Sequence, residues 1–388
     1  MNSREVFPDE ELRRRIMDFI MAAGQTLLEN GAEVFRVEQT MEIMARSFHL
    51  REFHVYVLTN GIFASAGTAE ISEVRNVPNR TTHLSRVAAV NALSREIAEG
   101  NMTLDEAESR LVLARRIPFP KDWVQLVSGM CGAFCFALIF GGTLRSALAA
   151  ALAGFLANGY LLLCGRHDLP GGFCKISCAA LITLACILGC SLLGTSASHA
   201  IIGSLMILTP GIAFTMGIRD FVQGDYLSGT IRMIDALLIA ASIAIGTGLV
   251  LSLYILYGGG GCMMLTSTQI GELAAQFFIA GVGTLCFAVL FACPRKSLFF
   301  CGLVGAVGWF VYELAVMLGA DSAAASLLAV IPLTLLTRVF AITLKMPVTV
   351  FLLSGIFPLV PGAGIYYTAY YFIQGNNVLA LSNGISTF

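Results

Sequence analysis

The sequence predicts an all-α polytopic membrane protein of two inverted five-helix repeats, the tenth helix incomplete, preceded by a small soluble α+β domain. Three observations predict it. Only 13% of the 388 residues are charged and mean hydropathy is +0.78, against about 25% charged in soluble domains. The charge is unevenly distributed: residues 1–122 hold 33 of the charged side chains and residues 123–388 only 16. The apolar part also matches itself when displaced by 151 residues.

The boundary falls at "RRIPFPKDW", where Pro118 and Pro120 punctuate the chain, giving a domain over 1–120. Within it, Asp9 is positioned to cap a helix running to about Glu29, with Gly31 as its stop. Leu12, Ile16, Phe19, Ile20, Ala23 and Leu27 recur at helical spacing. The apolar stretch 16–28 contains Asp18 and Gln25 and is too short to span a bilayer. A second amphipathic helix is expected over 32–48. "FHVYVLTNGIFASAG" alternates on either side of Asn60-Gly61, a two-residue hairpin signal, and "EISEVRNV" reads as a third strand. Helices follow at 81–99 and 104–115, the last with a capping box from Thr103 and Glu106. His49, His54 and His83 are scattered and read as structural. The first 15 residues carry both signs of charge with no apolar run behind them, so they are not a secretory signal.

Apolar runs of spanning length fall at 124–142, 146–164, 173–193, 199–218, 232–256, 272–293, 297–318, 322–340 and 348–373. A tenth, 378–388, is too short to span. The first repeat occupies 121–257 and the second 270–388. Arg166, Lys175, Arg219, Arg232, Arg295, Lys296, Arg338 and Lys345 all fall on the side of the basic-rich N-terminal domain, and Arg145 on the other. Basic connections mark the cytoplasmic side, so the domain is expected in the cytoplasm and the protein in the inner (cell) membrane.

Under the 151-residue displacement Gly132 meets Gly283, "CFA" meets "CFA", Phe140 meets Phe291, Pro210-Gly211 meets Pro361-Gly362, and FxQG at 221–224 meets FxQG at 372–375, without a gap. An odd number of helices per repeat puts the second repeat upside down in the membrane. Inverted repeats with broken helices at midplane mark secondary transporters. Proline removes a helix hydrogen bond, and lipid offers no replacement. The two Pro-Gly breaks therefore belong in protein or beside a cavity.

Charge inside a bilayer costs about 2.5–3.5 kcal/mol on insertion scales. Asp220, Asp235 and Glu313 are thus the proton-coupling candidates, each also readable as an interfacial group. Arg219-Asp220 reads as an interfacial ion pair, a gate or a clamp for a zwitterionic or anionic substrate. Asn158 is positioned to bond substrate or a neighbouring helix. Tyr366, Tyr367, Tyr370 and Tyr371 form an aromatic belt of which Tyr366, near the second break, is the candidate cavity residue. The 11 cysteines, all in the apolar part and several spaced by four, read as small packing residues. No HExxH, GxSxG or P-loop is present; the chain is not expected to be an enzyme, and no cofactor or metal is expected. A net charge of −1 argues against nucleic acid.

"LLENGAEVFRVEQTMEIMAR", "RVAAVNALSREIAEGNMTLDEAESRL", "FGGTLRSALAAALAG" and "LTPGIAFTMGIRDFVQGDYLSGTIRMIDALLIAASIAIG" together resemble the threonine/serine exporter family, and "VPGAGIYY…FIQGN" is similar to its second-half motif. The likeness runs from about residue 20 to 377 and is to a fused form, since some members carry the halves as separate proteins. It implies a ten-helix exporter of threonine and serine driven by the proton gradient, whose Pro-Gly and Arg-Asp elements are Pro210, Gly211, Arg219, Asp220, Pro361 and Gly362. Arg145 stands where the family commonly has an acidic residue after the Gly-Gly of the first loop, and the tenth helix is lacking. Two other readings stand beside this one: a dicarboxylate (succinate-like) exporter on the same scaffold, and a membrane receptor or scaffold that transports nothing. A homo-oligomer is left open.

Overall fold

A computed structural model describes residues 10–67, 71–78, 80–100, 102–167, 169–256, 273–360 and 362–387. The chain divides into two compact units. The first comprises the N-terminal stretch to Phe119 together with Thr215–Met233 and Lys345–Pro347, and the second the remainder.

In the first unit α1 (Glu10–Glu29) and α2 (Val34–Ser47) lie with a three-stranded antiparallel sheet, β1 (His54–Leu58), β2 (Gly61–Ala66) and β3 (Ile71–Asn76), and with α3 (Leu84–Ala98) and α4 (Leu104–Arg115). Asp9, the expected cap of α1, lies outside the described residues. Gly31, at φ +87°, ends the helix and lets the Ala32 N–H return to the Leu27 carbonyl. Ile16, Phe19, Ile20 and Leu27 bury against Val37, Met41 and Met44 of α2 and Val57 and Ile62 of the sheet. Thr103 and Glu106 close both bonds of a capping box on α4. His83, fully buried, accepts from the Arg86 N–H at the start of α3.

The hairpin differs by one residue from the sequence expectation. Leu58 pairs with Gly61, so Thr59-Asn60 make the turn, and neither Asn60 nor Gly61 has positive φ. Burial decides this register: it sets Val57 opposite Ile62, both at most 1% exposed, on the face against the helices. A slip of one residue would turn that face outward.

The second unit begins with α5 (Asp122–Ile139), α6 (Leu144–Arg166), α7 (Gly171–Leu193) and α8 (Ser198–Leu205). The chain continues through α9 (Gly211–Gln223) and α10 (Tyr226–Leu256), parts of which belong to the first unit. Then come α11 (Leu273–Leu290), α12 (Leu298–Met317), α13 (Ser322–Thr343), α14 (Val348–Gly355), α15 (Gly362–Ile373) and α16 (Asn377–Thr387).

Among the described residues seven helices are long and apolar enough to cross a membrane, where the hydropathy pattern predicts nine runs. The difference lies in the fourth and ninth runs. Each is split, into α8 and α9 and into α14 and α15, because Pro210 has no N–H to continue one helix and a 3₁₀ turn containing Pro358 interrupts the other. α10 also starts at Tyr226 rather than 232.

The element order repeats. α5 and α11, α7 and α13, and α10 and α16 each begin 151 residues apart. Where α5 crosses α11 the contacts are reciprocal. A Cβ on Gly132 would stand 3.1 Å from the Phe287 ring, and one on Gly283 3.4 Å from the Phe136 ring. Each glycine thus makes room for the phenylalanine of the other repeat, and the two rings meet edge to face at 5.0 Å. The ten described cysteines are free, and all but Cys131 are buried.

Candidate functional site

Two places in the fold gather the unusual residues, one in each unit. In the second unit they are the helix breaks. After α8 the backbone tightens: Leu208 and Thr209 donate to carbonyls three residues back, and α9 starts afresh at Gly211. The second break is built alike, with Leu359 and Val360 donating three residues back before α15 starts at Gly362. The two breaks touch. A Cβ on Gly211 would lie 2.8 Å from Val360 Cγ2 and 3.4 Å from the Phe357 ring. Only glycine permits this approach. Two helices thereby begin side by side, and helix N-termini carry partial positive charge.

Aromatic rings close around this point. Phe357 stacks against Phe287 at 4.2 Å and meets Phe136 at 6.1 Å. Trp309, 4% exposed, donates its indole N–H to Gln276 Oε1 at 2.9 Å. Gln276 is itself 5% exposed and borders the same apolar cluster as Phe357 through Trp309. Tyr366, on α15, is fully buried and hydrogen-bonded to Ser198 at the start of α8, so it ties the halves of the two broken spans together. Pro361 lies outside the described residues.

In the first unit the gathering is ionic. Gly217 and Gly229 let α9 and α10 approach closely: a Cβ on Gly229 would stand 3.0 Å from the Gly217 carbonyl. That crossing brings Arg232 Nε within 2.9 Å of Asp220 Oδ2. The contact is an ion pair by distance, but its N–H is not aligned for a hydrogen bond, and among the described residues both Asp220 oxygens lack one. Asp220 is 0% exposed. Arg232 instead donates to Met216 Sδ and to the Ala32 carbonyl. Arg219 donates to Glu33 Oε1 at 2.7 Å, and Glu33 is 1% exposed with Oε2 unbonded among the described residues. Burial pushes the Glu33 carboxyl above its ordinary range, against the pull of Arg219. The cluster balances two carboxylates with two guanidiniums. Beside it, a cleft of about 250 Å³ is lined by Tyr56, Val57 and Gly224–Ser228.

The remaining expected residues lie apart from these places. Asn158 bonds the Gly154 carbonyl of its own helix and fills the notch left by Gly129 on α5. Asp235 is within electrostatic reach of Lys175. Glu313 is half-buried on α12 without a hydrogen-bond or ion-pair partner among the described residues. Glu33, Gln276, Phe357 and the pairing of Arg232 with Asp220 were not anticipated from sequence. The only hint was Glu33 itself, a charge at the start of an otherwise apolar-faced helix.

The comparisons with known proteins cover most of the chain. A family model described as a threonine/serine exporter, ThrE, matches residues 18–254, and a second, "Threonine/Serine exporter, ThrE", matches 276–388. A "Probable threonine/serine exporter" of Mycobacterium tuberculosis is 22% identical over 379 residues, covering 94% of this chain and 71% of that protein. The "Threonine/serine exporter" of Corynebacterium glutamicum is 24% identical, covering 95% and 78%. "Pheromone-regulated membrane protein 10" of Yarrowia lipolytica is 23% identical over 59% of this chain and 20% of its own length. No solved structure matches the chain.

Proposed function

Because the chain belongs to the threonine/serine exporter family, we propose that it carries L-threonine and L-serine out of the cell across the inner membrane in exchange for protons. In this reading α5–α10 and α11–α16 are inverted repeats, the N-terminal domain is cytoplasmic, and substrate binds where the two breaks face each other. The observation that carries it is the contact of Gly211 with Val360 and Phe357. Broken helices in opposed repeats are the recurrent site of secondary transporters. The starts of α9 and α15 offer the positive ends of two helices to a substrate carboxylate. Asp220 and Asp235 each have a cationic neighbour, and of the three carboxylates Glu313 is the one without an ion-pair partner among the described residues. Arg219 and Arg232 are engaged by Glu33 and Asp220, which speaks against a site built for dicarboxylates.

The test is counterflow of labelled L-threonine in proteoliposomes, with serine and succinate as competitors. Saturable exchange blocked by serine and not by succinate is the expected result. Block by succinate would move the substrate to dicarboxylates, and saturable binding without flux would leave a receptor.

A further inference from the structure

We propose that His199 is the group that takes up the transported proton on the outer side of the membrane, an inference that rests on the proton-exchange reading above. His199 is the second residue of α8 and is 6% exposed. Neither ring nitrogen has a hydrogen-bond partner among the described residues, and no charged group acts on it electrostatically. The residue is buried as a whole, yet its ring nitrogens are not among the fully enclosed polar atoms, so they lie at the protein surface without a protein partner among the described residues.

Packing does not explain the imidazole. Under the 151-residue repeat its counterpart is Val350, also fully buried, whose carbonyl accepts from Cys301 Sγ at 3.5 Å. The same position in the fold thus accepts an aliphatic side chain. The titratable ring occurs only in the repeat that turns this end of the broken helix outward.

The surroundings suit a proton path. The loop before α6 packs against the base of this side chain: a Cβ on Gly142 would lie 3.0 Å from His199 Cβ and 2.8 Å from Ser146 Oγ. Hydroxyls lead from there toward the outer connection, with Thr143 3.1 Å from Thr195. One residue before His199, Ser198 holds the Tyr366 hydroxyl. The elements packed on α8 are α5, α6, α7 and α15. α5 turns alanines toward it; the titratable groups of the others that share its apolar cluster are the thiols of Cys178, Cys186 and Cys190 and the phenols of Tyr160, Tyr366, Tyr367 and Tyr370, with the exposed guanidinium of Arg145 at the start of α6. None of these is a carboxylate that would hold the ring charged permanently.

Imidazole is the side chain whose charge changes between about pH 5 and 8. The ring takes one proton from external water at the outer end of α8 and gives it up to water in the site between the two breaks when that site opens to the cytoplasm. The charged ring favours an arrangement in which water reaches it, the neutral ring one in which α8 and α15 close through Ser198 and Tyr366.

The experiment compares wild type, His199→Gln and His199→Glu in proteoliposomes, by threonine counterflow without a gradient and by threonine flux driven by a pH gradient. H199Q is expected to keep counterflow within about twofold of wild type and to lose gradient stimulation. H199E should regain stimulation with its pH midpoint moved to the acid side by more than about one unit, since carboxyls titrate lower than imidazole. Wild-type stimulation in H199Q, or an unmoved midpoint in H199E, overturns the proposal. If H199Q is lost to misfolding, the midpoint of H199E decides alone. A wild-type chain that exchanges threonine but ignores the gradient overturns proton coupling itself, a failure visible before any substitution.

Discussion

Removing Arg232 should release the C-terminal end of α9. Arg232 is 7% exposed and balances Asp220, which is 0% exposed and, among the described residues, accepts no hydrogen bond on either oxygen. Taking one partner from a buried pair leaves an uncompensated charge, at about 3–5 kcal/mol. Arg232→Gln also gives up the donation to the Ala32 carbonyl, so the upper part of that range applies. Tenfold corresponds to about 1.4 kcal/mol, so amide exchange at 217–220 should quicken by roughly 700- to 4,000-fold if opening is local. Hydrogen exchange with mass-spectrometric readout on purified protein measures it. Asp220→Asn should show a similar effect. The double variant, in which neither charge is left alone, should fall short of the sum by about 2 kcal/mol or more. Exchange within about threefold of wild type in R232Q, or additive single effects, would refute the idea that this pair holds α9 against α10.

Gly211→Val should clash with Val360 and Phe357, slowing counterflow roughly tenfold or more through about 1–3 kcal/mol of strain; Val360→Ala in the same chain should recover most of the rate, and no recovery would mean the breaks do not need this contact. Glu33 supplies a pH dependence. Its carboxyl is raised on folding by burial, so its contribution to stability is fully present below the ordinary carboxyl value of about 4.3 and is lost as pH rises through the folded value. Thermal midpoints from pH 4 to 7.5 should fall in wild type relative to Glu33→Gln, and parallel curves would contradict the shift.

Much of this was legible in the sequence for a simple reason: helices report themselves through local signals. The capping box at Thr103 and Glu106 is complete within four residues, and a run such as 173–193 is long enough to be read by composition alone. The repeat was legible because Pro210-Gly211 and Phe221-x-Gln-Gly recur at one spacing. What escaped was non-local. Nothing near Glu33 in the chain foretells Arg219, which is 186 residues away, and Asn158 looked like a candidate ligand only because its notch partner, Gly129, is a glycine on another helix. The hairpin at Asn60-Gly61 misled by one residue because burial of Val57 and Ile62 outweighed turn preference. The length of the fourth and ninth apolar runs concealed that each is two helices.

The reciprocal seating of Phe136 over Gly283 and Phe287 over Gly132 means that the two halves of the membrane part meet through equivalent patches, as two copies do in an isologous dimer. Joining the two halves in one chain raises their concentration for one another. Two chains divided between α10 and α11 would therefore carry all the instructions for finding each other and would lack only proximity, which co-expression in one membrane supplies.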